Sequence, residues 1–425
     1  MHQPERSIAA ATVLALAAAF WLRWVPDRPD AGWVVLLIWP WTLAAVWAAL
    51  RGPGWSTGRI LVLATLLRLP FVGTTPWLSD DLYRYLWEGL ALGAGVDVFS
   101  VAPATVLGLD DALRDRVNHG ALTSIYPPLA LAWFRLLAWG PLVPATAQLA
   151  TSAVDLLTVG LLCTLAPTLR AGLHPGLLWA LHPLPILAAA HGAHLDVVAV
   201  ACTVALLAAL RAGAHRTALT GLCAGIGVKL FPIVLIPLVL RALRPRAPTT
   251  SWLVGPAVLV GLGLWALWPC LGAGGRLFES LGTYARDWSF NGAIEPWLRP
   301  VLEEYTRPLL LVAGAFAVLI SLVRRPSVVL GWRDAGAAFL LLTPTAHPWY
   351  ALWLLAPAAL SGSLPWVGVA SAVSSSYLVL ITLDPLTGIW QEPAWLWWLT
   401  WLPALAALGW REPKPEPMVE IEISS

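Results

Sequence analysis

Apolar stretches recur along the chain with short polar breaks between them: Ile8 to Trp24, Ala31 to Leu50, Trp252 to Trp268, Leu309 to Val323 and Trp395 to Trp410. Each approaches the ~20 residues that an α-helix needs to cross a hydrocarbon core, and the shorter ones predict tilted or broken helices. Tryptophans cluster near the ends of these stretches, as at Trp21, Trp24, Trp395, Trp397 and Trp398, where an amphipathic ring suits the headgroup region. The pattern predicts an all-α polytopic membrane protein of about 12–14 crossings. One apolar segment, 127–140, reads as a helix that dips into the bilayer and returns, because a full crossing there would invert the topology downstream. Arg23 follows the first apolar run where a signal peptide would carry small residues, so that run reads as a retained helix.

Composition agrees: 58% of the 425 residues are hydrophobic and 12% charged, against the roughly 25% charged of soluble domains. A net charge of +2 without any Lys/Arg block gives no footprint for nucleic acid. Cys163, Cys202, Cys223 and Cys270 lie in or beside apolar runs without metal-ligand spacing and read as packing residues.

Arginines orient the helices. The breaks at Arg51/Arg59, Arg170, Arg211/Arg216, Arg241/Arg244/Arg246, Arg324/Arg325/Arg333 and Arg411/Lys414 are expected on the cytoplasmic side. Two long loops then face outside, about 76–126 and about 271–305. In the first, Leu82, Tyr85, Leu86 and Leu90 predict an amphipathic helix lying in the interface. Residues 1–410 read as one transmembrane domain. The Pro- and Glu-rich tail 411–425 reads as a disordered cytoplasmic segment.

Ionisable groups in apolar segments are expensive, so each that persists is a functional candidate. Under this topology Asp81, His191, His194, Asp196, Lys229 and His347 all fall at outer helix ends. Lys229, one of two lysines, sits between two apolar helices, where an ammonium calls for an anion such as a lipid-linked phosphate; a snorkelling lysine is the alternative. Within Ser79-Asp80-Asp81 a carboxylate can serve as general base on a hydroxyl, while Ser79 or Asp80 can cap the helix. His191-Gly-Ala-His194-Leu-Asp196 suits hydrogen bonds to sugar hydroxyls or phosphate, a satisfied structural cluster or, less readily, a metal. Trp288 beside Asn291 offers an aromatic face and an amide to a pyranose, and His347 with Tyr350 adds an imidazole and a phenol. Neither a Walker loop nor a dinucleotide fingerprint is present.

In order, the motifs Ser79-Asp-Asp-Leu-Tyr-Arg-Tyr-Leu-Trp-Glu-Gly89, Asn118-His119 with Ile125-Tyr-Pro-Pro128, His191 to Asp196, Gly227-Val-Lys-Leu-Phe-Pro232, Trp288-Ser-Phe-Asn-Gly292 and His347-Pro-Trp-Tyr350 resemble the GT-C superfamily of integral membrane glycosyltransferases. They are most similar to bacterial mannosyltransferases that use polyprenyl-phosphate mannose, family-87-like and lipomannan-type. The resemblance implies a GT-C-like bundle with two structured external loops in the bacterial cytoplasmic membrane, its active site facing the periplasm. It implies inverting transfer of a sugar, foremost mannose, from a polyprenyl-phosphate donor to a hydroxyl of a glycan, glycolipid or other acceptor. Asp81 maps onto the catalytic base, with Asp80 as the alternative. Lys229 and Arg84 are the expected donor-phosphate ligands. His119, Tyr126, His191, His194, Asp196, Trp288, Asn291, His347 and Tyr350 are expected to hold sugar or acceptor. Neither a nucleotide nor another cofactor is implied; a divalent metal is compatible with the Asp80-Asp81 pair but not implied. A transporter or flippase of a lipid-linked or anionic substrate is the competing reading, disfavoured because the polar residues gather at one face rather than near the midplane.

Overall fold

The computed structural model describes residues 3–52, 54–166, 172–243, 253–325, 327–384 and 387–409. Arg170, Arg244, Arg246 and the tail expected to be disordered, 411–425, lie outside the described residues. Among the described residues the chain is helical, with no strand and a single isolated bridge between Phe290 and Thr345.

The first two long helices, α1 (Gln3–Trp24) and α2 (Val35–Arg51), pack along small residues. Ala11, Ala15, Ala18 and Leu22 on α1 and Ala45, Ala48 and Ala49 on α2 are buried, whereas Val13, Phe20 and Trp24 point away from the protein. Small residues on the inner face let helices approach closely, and large apolar ones on the outer face suit lipid. Five described helices are long and apolar enough to cross a bilayer, or up to seven when each of two sharply bent pairs counts as one crossing. This is a multi-pass membrane protein. The larger number read from hydropathy includes segments that prolines and bends cut short.

Helix α3 (Thr57–Arg68) leads into the first long loop, and α4 (Asp81–Gly93) follows within it. The sequence predicts α4 as a helix with one wet face, but it is buried on nearly all sides, Arg84 and Glu88 included. The reason is that its polar residues satisfy one another and the loop, as described below. Helix α5 (Pro128–Leu137) is the apolar segment expected to dip and return. Ten residues rise only ~15 Å, half of a hydrocarbon core. α5 packs on α4 where Gly89 meets the Phe134 backbone, and a Cβ at Gly89 would collide with that carbonyl.

Helix α6 (Pro144–Leu165) carries Asp155, which is fully buried and bonded to Arg68 Nε at 2.6 Å and to Trp179 Nε1 at 2.7 Å. This pair ties α3 and α6 to the short helix α7 (Pro175–Leu181). After α7 the chain runs through a π-helical turn, Leu187–His191, and bends by 120° into α8 (Leu195–Arg211). Ala193, at the bend, has φ +49°. Helix α9 (His215–Val228) then ends at Lys229. The second long loop holds α10 (Glu279–Asp287), and α11 (Thr306–Arg324) and α12 (Val328–Leu342) return the chain to His347 and α13 (Leu352–Ser361). All four cysteines are free.

Candidate active site

The two long loops and three helix junctions enclose a cavity of about 390 Å³, toward the lower end of the ~300–1,000 Å³ usual for small-molecule sites. Its lining includes Asp80, Asp81, Arg84, His119 and Tyr126 from the first loop, Lys229 from the end of α9, Trp288 from the second loop, and His347 and Tyr350 ahead of α13. Residues as far apart in sequence as 80 and 350 therefore share one wall. His191, His194, Asp196 and Asn291 do not line it.

The two neighbouring acids differ. Asp80 has both oxygens engaged: Oδ2 accepts from Arg28 Nη1 at 2.7 Å and Oδ1 from Asn118 Nδ2 at 3.0 Å. Its side chain makes no capping bond to α4, so the capping reading fails for Asp80. Asp81 accepts Asn118 Nδ2 on Oδ1 at 2.7 Å, and among the described residues its Oδ2 has no hydrogen-bond donor, His194 Nδ1 standing 3.6 Å away. Burial pushes the Asp81 carboxyl up to about 6; the neighbouring Asp80 charge adds to this, and Asn118, Lys229 and Arg84 oppose it. A carboxylate near 6 is ionised at neutral pH and basic enough to take a proton from a hydroxyl as that hydroxyl reacts.

Arg84 is placed differently from expectation. Its guanidinium donates to the carbonyls of Asn118 at 2.5 Å, His119 at 2.8 Å and Leu122 at 3.2 Å, and to Asn118 Oδ1 and Glu88 Oε1. Glu88 in turn accepts from Ser124 Oγ at 2.8 Å. Burial raises the Glu88 carboxyl, and Arg84 and Ser124 pull it back. With its donors spent on the loop, Arg84 is a clamp that shapes the 118–124 segment rather than a free ligand for phosphate. The clamp holds His119 at φ +48°, with its ring edge-on to Trp288 at 4.5 Å. Burial lowers the His119 imidazole, which keeps it uncharged at neutral pH.

Lys229 Nζ lies 2.8 Å from Asp196 Oδ2 and 5.1 Å from the centre of the Tyr350 ring. Asp196 is buried behind the wall, and its other oxygen accepts Trp353 Nε1 at 2.8 Å. Asp196 thus pairs with Lys229 from behind the wall and does not itself line the cavity. The turn once compatible with a metal diverges: His191 faces Thr74 and Leu78, His194 faces Asp81, and Asp196 faces Lys229. Thr74 donates its hydroxyl hydrogen to Phe71, so His191 Nδ1 carries the proton it shares with Thr74, and Nε2 accepts the Leu78 N–H. Gln148 braces this turn by donating to the carbonyls of Thr74 and His191. His191 is thus a satisfied structural imidazole. Among the described residues no group of three or more His, Cys, Asp or Glu is arranged to hold a metal ion.

The second loop is pinned by Phe290 N–H to Pro344 O at 3.0 Å and Ala346 N–H to Phe290 O at 2.8 Å. Asn291, at φ +51°, turns its amide to Ala346 O and its backbone N–H to Glu392, away from the cavity. These bonds hold the loop at Asn291, while Trp288, three residues earlier, lines the cavity. Of the four non-glycine positive-φ residues described, His119 lines the cavity, Ala193 lies next to His194, which faces Asp81, and Asn291 follows the cavity-lining Phe290. Such strain persists only where the surroundings enforce it, and it collects at functional sites. Arg28, Tyr284, Trp349 and Tyr377 also line the cavity. Tyr284 and Tyr350 share a hydrogen bond at 2.7 Å. Sequence reasoning passed over Arg28 because it reads as an ordinary loop charge; its only signal is its place in an outer break.

Residues 8–244 match the family described as alpha-(1->6)-mannopyranosyltransferase, N-terminal domain, over more than half of the chain. The chain belongs to that family. It is a multi-pass membrane glycosyltransferase, which sets the transporter reading aside. The match spans the glycosyltransferase's Asp80, Asp81, Arg84, His119, Tyr126, Asp196 and Lys229, while Trp288, Asn291, His347 and Tyr350 lie beyond it. No curated protein and no solved structure matches the chain.

Proposed function

We propose that this glycosyltransferase moves mannose from a polyprenyl-phosphate donor to an acceptor hydroxyl, with inversion, in a cavity facing the periplasmic side of a bacterial cytoplasmic membrane. The observation that carries the reading is the asymmetry of the two acids: Asp80 is tied at both oxygens, and Asp81 keeps Oδ2 free of any hydrogen-bond donor beside the cavity. Asp81 takes the proton of the acceptor hydroxyl as its oxygen bonds to the anomeric carbon. The bond from that carbon to the phosphate oxygen breaks on the opposite side, and the lipid phosphate leaves with the electron pair. Lys229, with Arg28 in the role first given to Arg84, offers positive charge to the departing phosphate. Trp288, with His119 set against it, offers a face for the pyranose; Tyr126, His347 and Tyr350 are within the same wall for hydroxyl contacts. The displacement uses neither a nucleotide nor a covalent enzyme intermediate, and residues 1–410 act as one domain. A glycan, a glycolipid or another hydroxyl serves as acceptor.

The test is transfer of radiolabelled mannose from a synthetic polyprenyl-phosphate mannose in membranes bearing the native protein or Asp81→Asn. Asn keeps the shape and removes the base, so transfer should fall by about 10²- to 10⁴-fold. Retained transfer would remove Asp81 from the role.

A further inference from the structure

We infer that His194 is a positioning residue for Asp81: its Nδ1–H is aimed at Asp81 Oδ2 and fixes which lone pair of the base meets the acceptor hydroxyl. The inference rests on the reading of Asp81 as base. It starts from an anomaly: His194 is 1% exposed, and its Nδ1 is buried without a hydrogen-bond partner. Buried polar nitrogens are ordinarily paired. Among the described residues it faces Asp81 Oδ2 at 3.6 Å, just outside hydrogen-bonding range. A shift of a few tenths of an ångström in either side chain brings the two within hydrogen-bonding distance.

The ring has little room to point elsewhere. It stacks on Trp349 at 3.8 Å and 15°, Trp349 stacks on His347 at 4.5 Å and 6°, and His347 stacks on Phe290 at 5.0 Å and 27°. Its opposite edge rests against Gly192, where a Cβ would come within 2.6 Å of Nε2. The backbone N–H of His194 is bonded to Ala188 O at 2.8 Å. Four rings thus run from the rim of the cavity to the base, and His194 is the one that reaches it.

The arrangement divides the two oxygens of Asp81. Asn118 donates to Oδ1, and His194 Nδ1 faces Oδ2 from 3.6 Å, so that its closer approach engages one lone pair of Oδ2 and leaves the other for the acceptor. A donor at Oδ2 favours the ionised base. The charged and titratable groups facing the pair are Asp80, Arg84, Tyr85 and Tyr126 from the first loop, His191 from the same turn, Lys229 from the end of α9, Tyr284 from α10, His347 and Tyr350 ahead of α13, and Tyr377. Burial first, and then the Lys229 charge, favour a neutral imidazole, and a neutral imidazole beside a carboxylate carries its proton on the nitrogen that faces it.

The experiment measures initial rates of the detergent-solubilised full chain over about pH 5 to 9, with farnesyl-phosphate mannose as donor and an alkyl mannoside as acceptor. In His194→Ala the acid limb of kcat/KM should move up by about one pH unit and kcat should fall about tenfold, with the donor KM changed less than about twofold. His194→Asn places an amide N–H near the position of Nδ1 and should return the limb toward its native place. His194→Leu, which fills more of the ring's space, serves if the alanine variant does not fold. An acid limb unmoved in a folded Ala or Leu variant overturns the inference, as does an Asn variant no better than Leu. Asp81→Asn in the same assay separates the two readings. If it is inactive while the His194 limb stays put, only the positioning role fails; if it is active, the base assignment fails first.

Discussion

Lys229 Nζ sits 2.8 Å from Asp196 Oδ2, and only the lysine reaches the cavity; the aspartate is 1% exposed behind it. The pair therefore has an inner member that cannot be hydrated and an outer one that can meet substrate. Removing the outer charge strands a buried carboxylate, and removing the inner one releases an ammonium that water can still reach.

The two substitutions should consequently behave differently. Lys229→Met should raise the donor KM and also destabilise the fold by up to ~3 kcal/mol, because an unpaired buried charge is left behind. Asp196→Asn keeps the bond to Trp353 possible and should cost less stability while displacing Lys229, so its main effect is on kcat. Thermal denaturation in detergent beside donor-saturation kinetics checks both. Equal loss of stability in the two variants would contradict the inner-and-outer assignment.

The placement of Asp80 beside Asp81 gives a signed pH dependence. Asp81 is held near 6 chiefly by burial and then by Asp80, and in the role proposed for it, as base, it acts only when ionised. kcat/KM should therefore be level above about pH 7 and fall roughly tenfold per unit below about 6. Asp80→Asn removes the neighbouring negative charge that raises Asp81 and leaves Arg28 without its carboxylate partner. Both changes lower the Asp81 pKa, so the acid limb should move to lower pH. Movement to higher pH would show that Asp80 does not act on Asp81 in this way.

The sequence made Asp81, Lys229 and His347 legible because each is an ionisable group at the end of an apolar run, where such groups are costly. Their convergence on one cavity follows from the helix breaks, and those too were readable at Pro, Gly and polar turns. What could not be read was which donors each residue would meet. Arg84 and Glu88 stand four apart on α4 and look like a solvated face; only the return of the 118–124 segment turns them inward. Arg68 and Asp155 form a buried pair 87 positions apart, and nothing local in either helix announces the other. His191 and His194 lie in one turn and look equivalent in sequence, yet the π-helical turn and the strained Ala193 send one to Thr74 and the other toward Asp81.

The clamp role of Arg84 predicts a loss of fold rather than of donor affinity. Arg84→Met leaves Glu88 buried without its cation and frees three backbone carbonyls, so stability should drop by about 3–5 kcal/mol. Adding Glu88→Gln should recover part of it, as expected for partners in one network. The donor KM of the folded fraction should stay within a few-fold of native. A KM increase of tenfold or more with unchanged melting would return Arg84 to the phosphate.

The side of the membrane on which the cavity opens can be decided by labelling. Ala94 ends α4 in an exposed stretch of the first long loop, and Arg324 ends α11 in an exposed position beside one of the arginine-rich breaks. Retention of positive charge on the cytoplasmic side puts these two positions on opposite faces. Because the native cysteines are buried or half-buried, they give a low background and can be replaced if they react. With a membrane-impermeant maleimide on intact cells, Ala94→Cys should label and Arg324→Cys should label only after the membrane is opened. The reverse pattern would invert the topology and put the donor-binding cavity on the cytoplasmic side, where a donor would have to be drawn from the inner leaflet.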